Sequence, residues 1–187
     1  MKYWTIQSKE VLNKIESEGI YYPNIERSNY ISKNVELEQL YTFILDSFNS
    51  VNKCKCSGLV FSFLTQDSNK IVSYENITSF HNAMIKGKDI VNPLWNELLT
   101  NECKILELEF DEEINPIYID FNDFQIIMPP IYEIQPYKET DIKKIITNVR
   151  KGVFSQSIFP SKIIQGHLPY IKTENILNTH ELFLLNK

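Results

Sequence analysis

Residues 58–65 read GLVFSFLT, with apolar side chains at Leu59, Val60, Phe61, Phe63 and Leu64. A strand of that composition has no polar face to turn to water, so it belongs in the middle of a sheet. The rest of the chain must then supply neighbouring strands and helices to cover them. That requirement organises the reading of every other segment.

Residues 2–7 alternate as a strand does, and Ser8 then suits the N-cap of a helix. Val11, Leu12 and Ile15 share one face of that helix, and Gly19 stops it. The clearest helix is 36–50, where Leu37, Leu40, Tyr41, Ile44, Leu45 and Phe48 form a buried stripe. Residues 78–100 predict an irregular helix whose second part is capped by Asn92 with Pro93 in its first turn, followed by Leu94, Trp95, Leu98 and Leu99. The run 104–110 alternates strictly: Ile105, Glu107 and Glu109 face one way, Leu106, Leu108 and Phe110 the other. Strands are expected at 116–121 and 124–128, before Pro129 and Pro130 break the chain. A helix from Thr140 to Lys151 uses Ile142, Ile145, Ile146 and Val149 and stops at Gly152. Strands return at 161–168 and 177–184. With no repeat and no flexible linker, this order predicts one α+β domain spanning residues 1–187.

Composition agrees. A chain of 187 residues, 43% hydrophobic and 23% charged, can bury a sizeable core, and five glycines exclude low-complexity material. No apolar run is long enough for a membrane span, and the charged start does not read as a signal peptide. The three cysteines, an odd number, point to reduced thiols and a cytoplasmic location. Net charge is −5, and acids crowd residues 102–123: Glu102, Glu107, Glu109, Asp111, Glu112, Glu113, Asp120 and Asp123, against Lys104 alone. That balance argues against a dedicated nucleic-acid-binding domain, although a local basic patch can suffice.

Few residues announce chemistry. Cys54-x-Cys56 with Cys103 and His81 does not make a zinc site, because one pair is too tight and the second is missing. No metal is expected. There is no glycine-rich phosphate loop and no G-x-S-x-G elbow. Glu107 and Glu109 share a strand face and could pair as carboxylates, but a solvent-facing strand edge is the plainer reading. His167, between Gly166 and Leu168, reads first as a hydrogen-bonded structural residue.

The two ends of the chain add a resemblance. Residues 2–20 read KYWTIQSKEVLNKIESEGI: a strand, Ser, a helix, then Gly-Ile. This resembles the first element of the ADP-ribosyltransferase fold, above all in the DNA-targeting toxins, which begin y-H-x-T, continue n-L-x-x-I-L and reach x-x-G-L. Aligned on Gly19-Ile20, the family's His falls on Thr5 and its Thr on Gln7, with Leu12 and Ile15 at the apolar positions of the helix. Near the other end, IIQGHLPYIKTENI resembles the family's strand with a catalytic Glu, a Pro, and p-x-x-I leading to a last strand. Gln165 stands at the Glu position and Pro169 follows. Most of the chain is also similar to a small uncharacterised bacterial family whose members begin W-T-I-Q.

The resemblance implies an α+β domain with a mixed, split β-sheet core and flanking helices, gripping NAD between two central strands. It implies a site in which Gln165 takes the catalytic position, with Trp4, Thr5, Gln7, Tyr21, Tyr22 and His167 around the cofactor. Thr5 or Gln7 is then expected to open onto one cleft with Gln165. The implied function is that of an NAD-dependent ADP-ribosyltransferase-like protein, a toxin or phage-defence effector modifying nucleic acid or protein, with an antitoxin or regulatory partner. Gln165 departs from the pattern, because an amide bonds a hydroxyl but offers no charge to an oxocarbenium ion. Hence the alternative: a catalytically silent relative that binds a nucleotide-like ligand or a partner protein. An unrelated α+β binding domain stands third.

Overall fold

In the computed structural model the chain runs β1 (Lys2–Gln7), α1 (Lys9–Glu18), β2 (Ile20–Tyr21), α2 (Val35–Asn52), β3 (Val60–Asp67), β4 (Lys70–Val72), α3 (Ile77–Lys86), α4 (Lys88–Thr100), β5 (Lys104–Glu109), β6 (Ile117–Asp120), β7 (Ile163–Leu168), β8 (Ile171–Lys172) and β9 (Ile176–Glu181). The structure describes residues 1–28, 35–68, 70–110, 114–122 and 160–185, with the backbone alone for 35–40 and 93. The strands expected at 124–128 and the helix at 140–151 lie outside the described residues.

The apolar run does occupy the middle of a sheet. Strands follow the path β6-β7-β3-β1-β5-β9, with β4 folded back beside β3. The described ladders are antiparallel rather than mixed. A separate short ladder joins β2 to β8.

Register sorts the side chains between two faces, because residues opposite each other across a ladder point the same way. On one face Trp4, Ile6, Phe63, Ile105 and Ile163 pack against Phe80 and Met84 of α3 and Val91 and Trp95 of α4. Farther along that face Ile117 and Ile119 lie beneath Tyr41, Ile44 and Phe48, the stripe of α2. The opposite face gathers Tyr3, Leu64, Leu106, Leu108 and Ile164 with Ile15 of α1 and Ile171. Burying each such side chain contributes roughly 1.5–3 kcal/mol. The sheet is therefore clad on both sides, as β3 demands.

At α1 the capping signals hold at both ends. Ser8 Oγ accepts from Val11 N, and Gly19 closes α1 in the left-handed region at φ 76°, donating its N–H to Ile15 O. The carbonyl of Gly19 then accepts from Thr173 N at 2.9 Å, tying the helix end to the turn after β8.

Elsewhere the structure corrects the reading. Residues 77–100 form two helices that break at Gly87, not one irregular helix. A Cβ at Gly87 would meet the Ile163 side chain, so the break lets both helices approach β7 closely. Asn92 and Pro93 lie inside α4 instead of starting it, since the backbone of Gly87 already anchors the first turn through Ile90 N and Val91 N. The strands β2, β4 and β8 are too short for periodicity to announce.

Candidate functional site

The sheet path divides three and three between β3 and β1, and here the pairing lapses. Between β1 and β3 one register pair is formed, Trp4↔Phe63. On its far side β3 pairs with β7 over six positions, Val60↔Leu168 to Thr65↔Ile163. On the near edge of β3, β4 occupies Thr65 to Asp67 and takes that end of the strand from β1. At the other end of the ladder no register pair joins Thr5 to Gln7 of β1 with Val60 to Ser62 of β3, and there the backbone pairing parts.

Side chains bridge the parting where the backbone does not. Thr5 Oγ1 donates to Phe61 O at 2.5 Å, and Gln7 Nε2 donates to Thr5 Oγ1 at 2.8 Å. Thr5 is fully buried. A carbonyl without its ladder partner needs another donor, and the threonine hydroxyl is it. Thr5 and Gln7 thus sit together at the junction of the central strands.

Gln165 and His167 stand on β7, one strand away. Register aligns Gln165 with Phe63, and Phe63 with Trp4, so Gln165 projects to the face of α2, α3 and α4. Thr5 and Gln7 alternate with Trp4 and project to the other face. The expectation that Thr5 or Gln7 opens onto one cleft with Gln165 is corrected by this parity. Gln165 is 4% exposed, and among the described residues its Oε1 has no hydrogen-bond partner. An unsatisfied acceptor in that position costs about 1–3 kcal/mol.

His167 is fully buried, its Nδ1 is 2.7 Å from Ile117 O, and its ring meets Phe61 edge-on. Burial lowers its pKa to about 4, against the opposing effect of the bond to Ile117. The ring is therefore neutral near pH 7, and Nδ1–H donates to the Ile117 carbonyl. This ties β7 to β6.

The remaining proposed cofactor contacts scatter. Trp4 is wholly in the core, its Nε1 donating to Tyr74 O at 3.0 Å and its ring stacked on Phe80. Tyr21 lies half-buried in β2, while Tyr22 is 61% exposed and meets the edge of Tyr170. Beside β2 and β8 a shallow depression of about 470 Å³ is lined by Glu18, Gly19, Ile20, Lys172, Thr173 and Glu174.

Glu107 is a second correction. It does not face solvent at a strand edge, because β5 lies between β1 and β9, and its exposure is 5%. Burial pushes its pKa up, but hydrogen bonds from Lys2 Nζ at 2.6 Å and Asn178 Nδ2 at 2.8 Å outweigh burial and hold it below the usual carboxylate range. Glu107 is a buried structural anion, paired across β1 and β9.

Asp120 stands in the sequence only among the crowded acids, and its role is missed there. Its buried carboxylate accepts from Asn122 N, Ser161 N and Ser161 Oγ at 2.8–3.1 Å, stapling the end of β6 to the entry of β7. Burial raises its pKa despite those bonds. The signal was an acid closing an apolar strand two residues before an Asn, and it is too brief to separate from an ordinary turn. Among the described residues no cluster of His, Cys, Asp and Glu could hold a metal ion, and no helix is long and apolar enough to cross a membrane. Neither a protein-family model, a curated protein nor a solved structure gives a match to this chain.

Proposed function

We propose that the protein is a catalytically silent relative of the ADP-ribosyltransferases that holds a nucleotide-like ligand where β1 and β3 part. The carrying observation is the lapse of the central ladder to Trp4↔Phe63, with three strands on either side. The resemblance calls for a split sheet gripping its ligand between two central strands, and this geometry favours it. The buried Gln165 Oε1, open among the described residues, fits an N–H or O–H donor such as a carboxamide or a ribose hydroxyl.

Silence follows from the same residues. Gln165 is neutral, and losing one aligned electrostatic contact to a developing cation costs on the order of 10²–10³ in rate. Thr5 Oγ1 already donates to Phe61 O and accepts from Gln7, so its donor is committed to the fold. Thr5 and Gln165 also project to opposite faces, which weighs against a transferase site built from both. NAD, when bound, would supply the leaving nicotinamide; this chain's part is to bind and orient it.

Calorimetry with NAD, paired with a nicotinamide-release assay, tests the proposal. Binding without release is expected, and Gln165→Ala should weaken it by about 1 kcal/mol, roughly fivefold. Steady release by the wild-type chain would replace the silent reading with the transferase, and Gln165→Glu should then accelerate it. No binding at millimolar NAD would leave a partner protein as the occupant.

A further inference from the structure

Helix α2 ends at Asn52, and Lys53 turns out of it at φ 51° into the sequence K-C-K-C of residues 53–56. The turn brings Cys54 Sγ and Cys56 Sγ to 3.7 Å, in contact with each other. Both thiols are free and half-buried. Asn49, in the last turn of α2, holds them there. Its Oδ1 accepts from Cys56 N at 2.8 Å and from Cys54 Sγ at 3.3 Å, while its Nδ2 donates to Cys56 O at 3.0 Å.

The surroundings suit one chemistry. Lys53 and Lys55 are exposed on either side of Cys54, so an approaching anion meets positive charge. Residues 54–56 lie outside helix and strand, so the sulfurs can close on each other without breaking a sheet ladder. What they give up is the clasp of Asn49. Burial, reinforced by Cys54, pushes the Cys56 thiol up to about 11, which makes it the weaker first attacker.

We propose that Cys54 and Cys56 form a thiol–disulfide exchange site that closes to an intramolecular disulfide at the expense of an anionic low-molecular-weight disulfide such as oxidised glutathione. Cys54 loses its proton to solvent and attacks one sulfur of the oxidant. The oxidant's S–S bond breaks, one glutathione leaves as a thiolate, and it takes up a proton. Cys56 then loses its proton and attacks the Cys54 sulfur, breaking the mixed disulfide and releasing the second glutathione, which is protonated in turn. Two protein thiols are oxidised and one disulfide is reduced to two thiols.

The full chain, incubated with oxidised glutathione, alkylated and digested, gives the test by mass spectrometry. The peptide bearing Cys54 and Cys56 should lose two hydrogens and regain them with dithiothreitol, while Cys103, buried in the core, stays a thiol. In Cys56→Ser, a glutathione adduct should accumulate on Cys54, in excess of that on Cys56 in Cys54→Ser, where burial still holds the Cys56 thiol up. Separate adducts on both cysteines of the wild-type chain, or two thiols that persist throughout, would overturn the proposal.

Discussion

The two edges of β3 differ in kind. Toward β7 the strand makes six consecutive register pairs, and both faces of that ladder are buried. Toward β1 it makes one pair, and a threonine hydroxyl answers one of its carbonyls. The first edge is a continuous backbone ladder whose β7 side chains are all buried, so a substitution there acts through the packing of the core. The second is joined by the backbone pair at Trp4 and by the hydroxyl of Thr5, so a point substitution can remove part of the junction itself. Ligand sites belong at such places, because regions with fewer backbone bonds open at lower free energy.

Substitution on the closed edge should show the largest effect. Ile164 is fully buried in β7, and Ile164→Ala should cost roughly 2–5 kcal/mol. Urea denaturation would show this as a lower midpoint at unchanged slope. A loss below about 1 kcal/mol would mean that the β3/β7 half is no better packed than a surface, and the contrast would collapse.

Acid comes next, again through β7. His167 is neutral in the fold with a pKa of about 4, against the ordinary histidine value of 6.5. Its contribution is full above pH 6.5 and is lost as pH falls through 4. That amounts to roughly 3 kcal/mol across the window. Asp120, raised by burial, works in the opposite direction and offsets part of the loss. The share of His167 is read by comparison with His167→Gln, whose stability should fall less between pH 6.5 and 4. Parallel pH profiles for the two chains would refute it.

The parting itself should yield the smallest change. Thr5→Val keeps the shape and removes the hydroxyl, leaving Phe61 O and Gln7 Nε2 without a partner, at a cost of about 1–2 kcal/mol. Hydrogen exchange sharpens the point: amides of β1 should exchange faster in the variant while those of β7 keep their protection. Equal acceleration in both strands would show that the two edges of β3 act as one unit.

Much of the fold was legible before any coordinate. Ser8 and Gly19 bound α1 because capping chemistry is local. The stripe of Tyr41, Ile44 and Phe48 found a core because a helix with that spacing has one apolar face to bury. The site was less legible. Gln165 was singled out by resemblance, yet its burial and its open acceptor belong to its neighbours in space. Glu107 looked like an edge residue because its partners, Lys2 and Asn178, are distant along the chain. Cys54 and Cys56 showed their spacing but not their contact, which depends on the clasp of Asn49.

The sequence by itself determined which of the longer described segments become strand or helix, where some of them end, and which residues within one strand share a face. Those properties follow from periodicity and capping, which act over a few residues. Only the tertiary structure decided that β1 and β3 part after Trp4, and that Thr5 and Gln165 point to opposite faces. Alternation fixes sides within a strand, whereas the relation between strands is set by register, and a shift of one residue exchanges the faces. Register depends on which strands flank β3, with β7 along one edge and β1 and β4 sharing the other, and that arrangement exists only once the chain has folded.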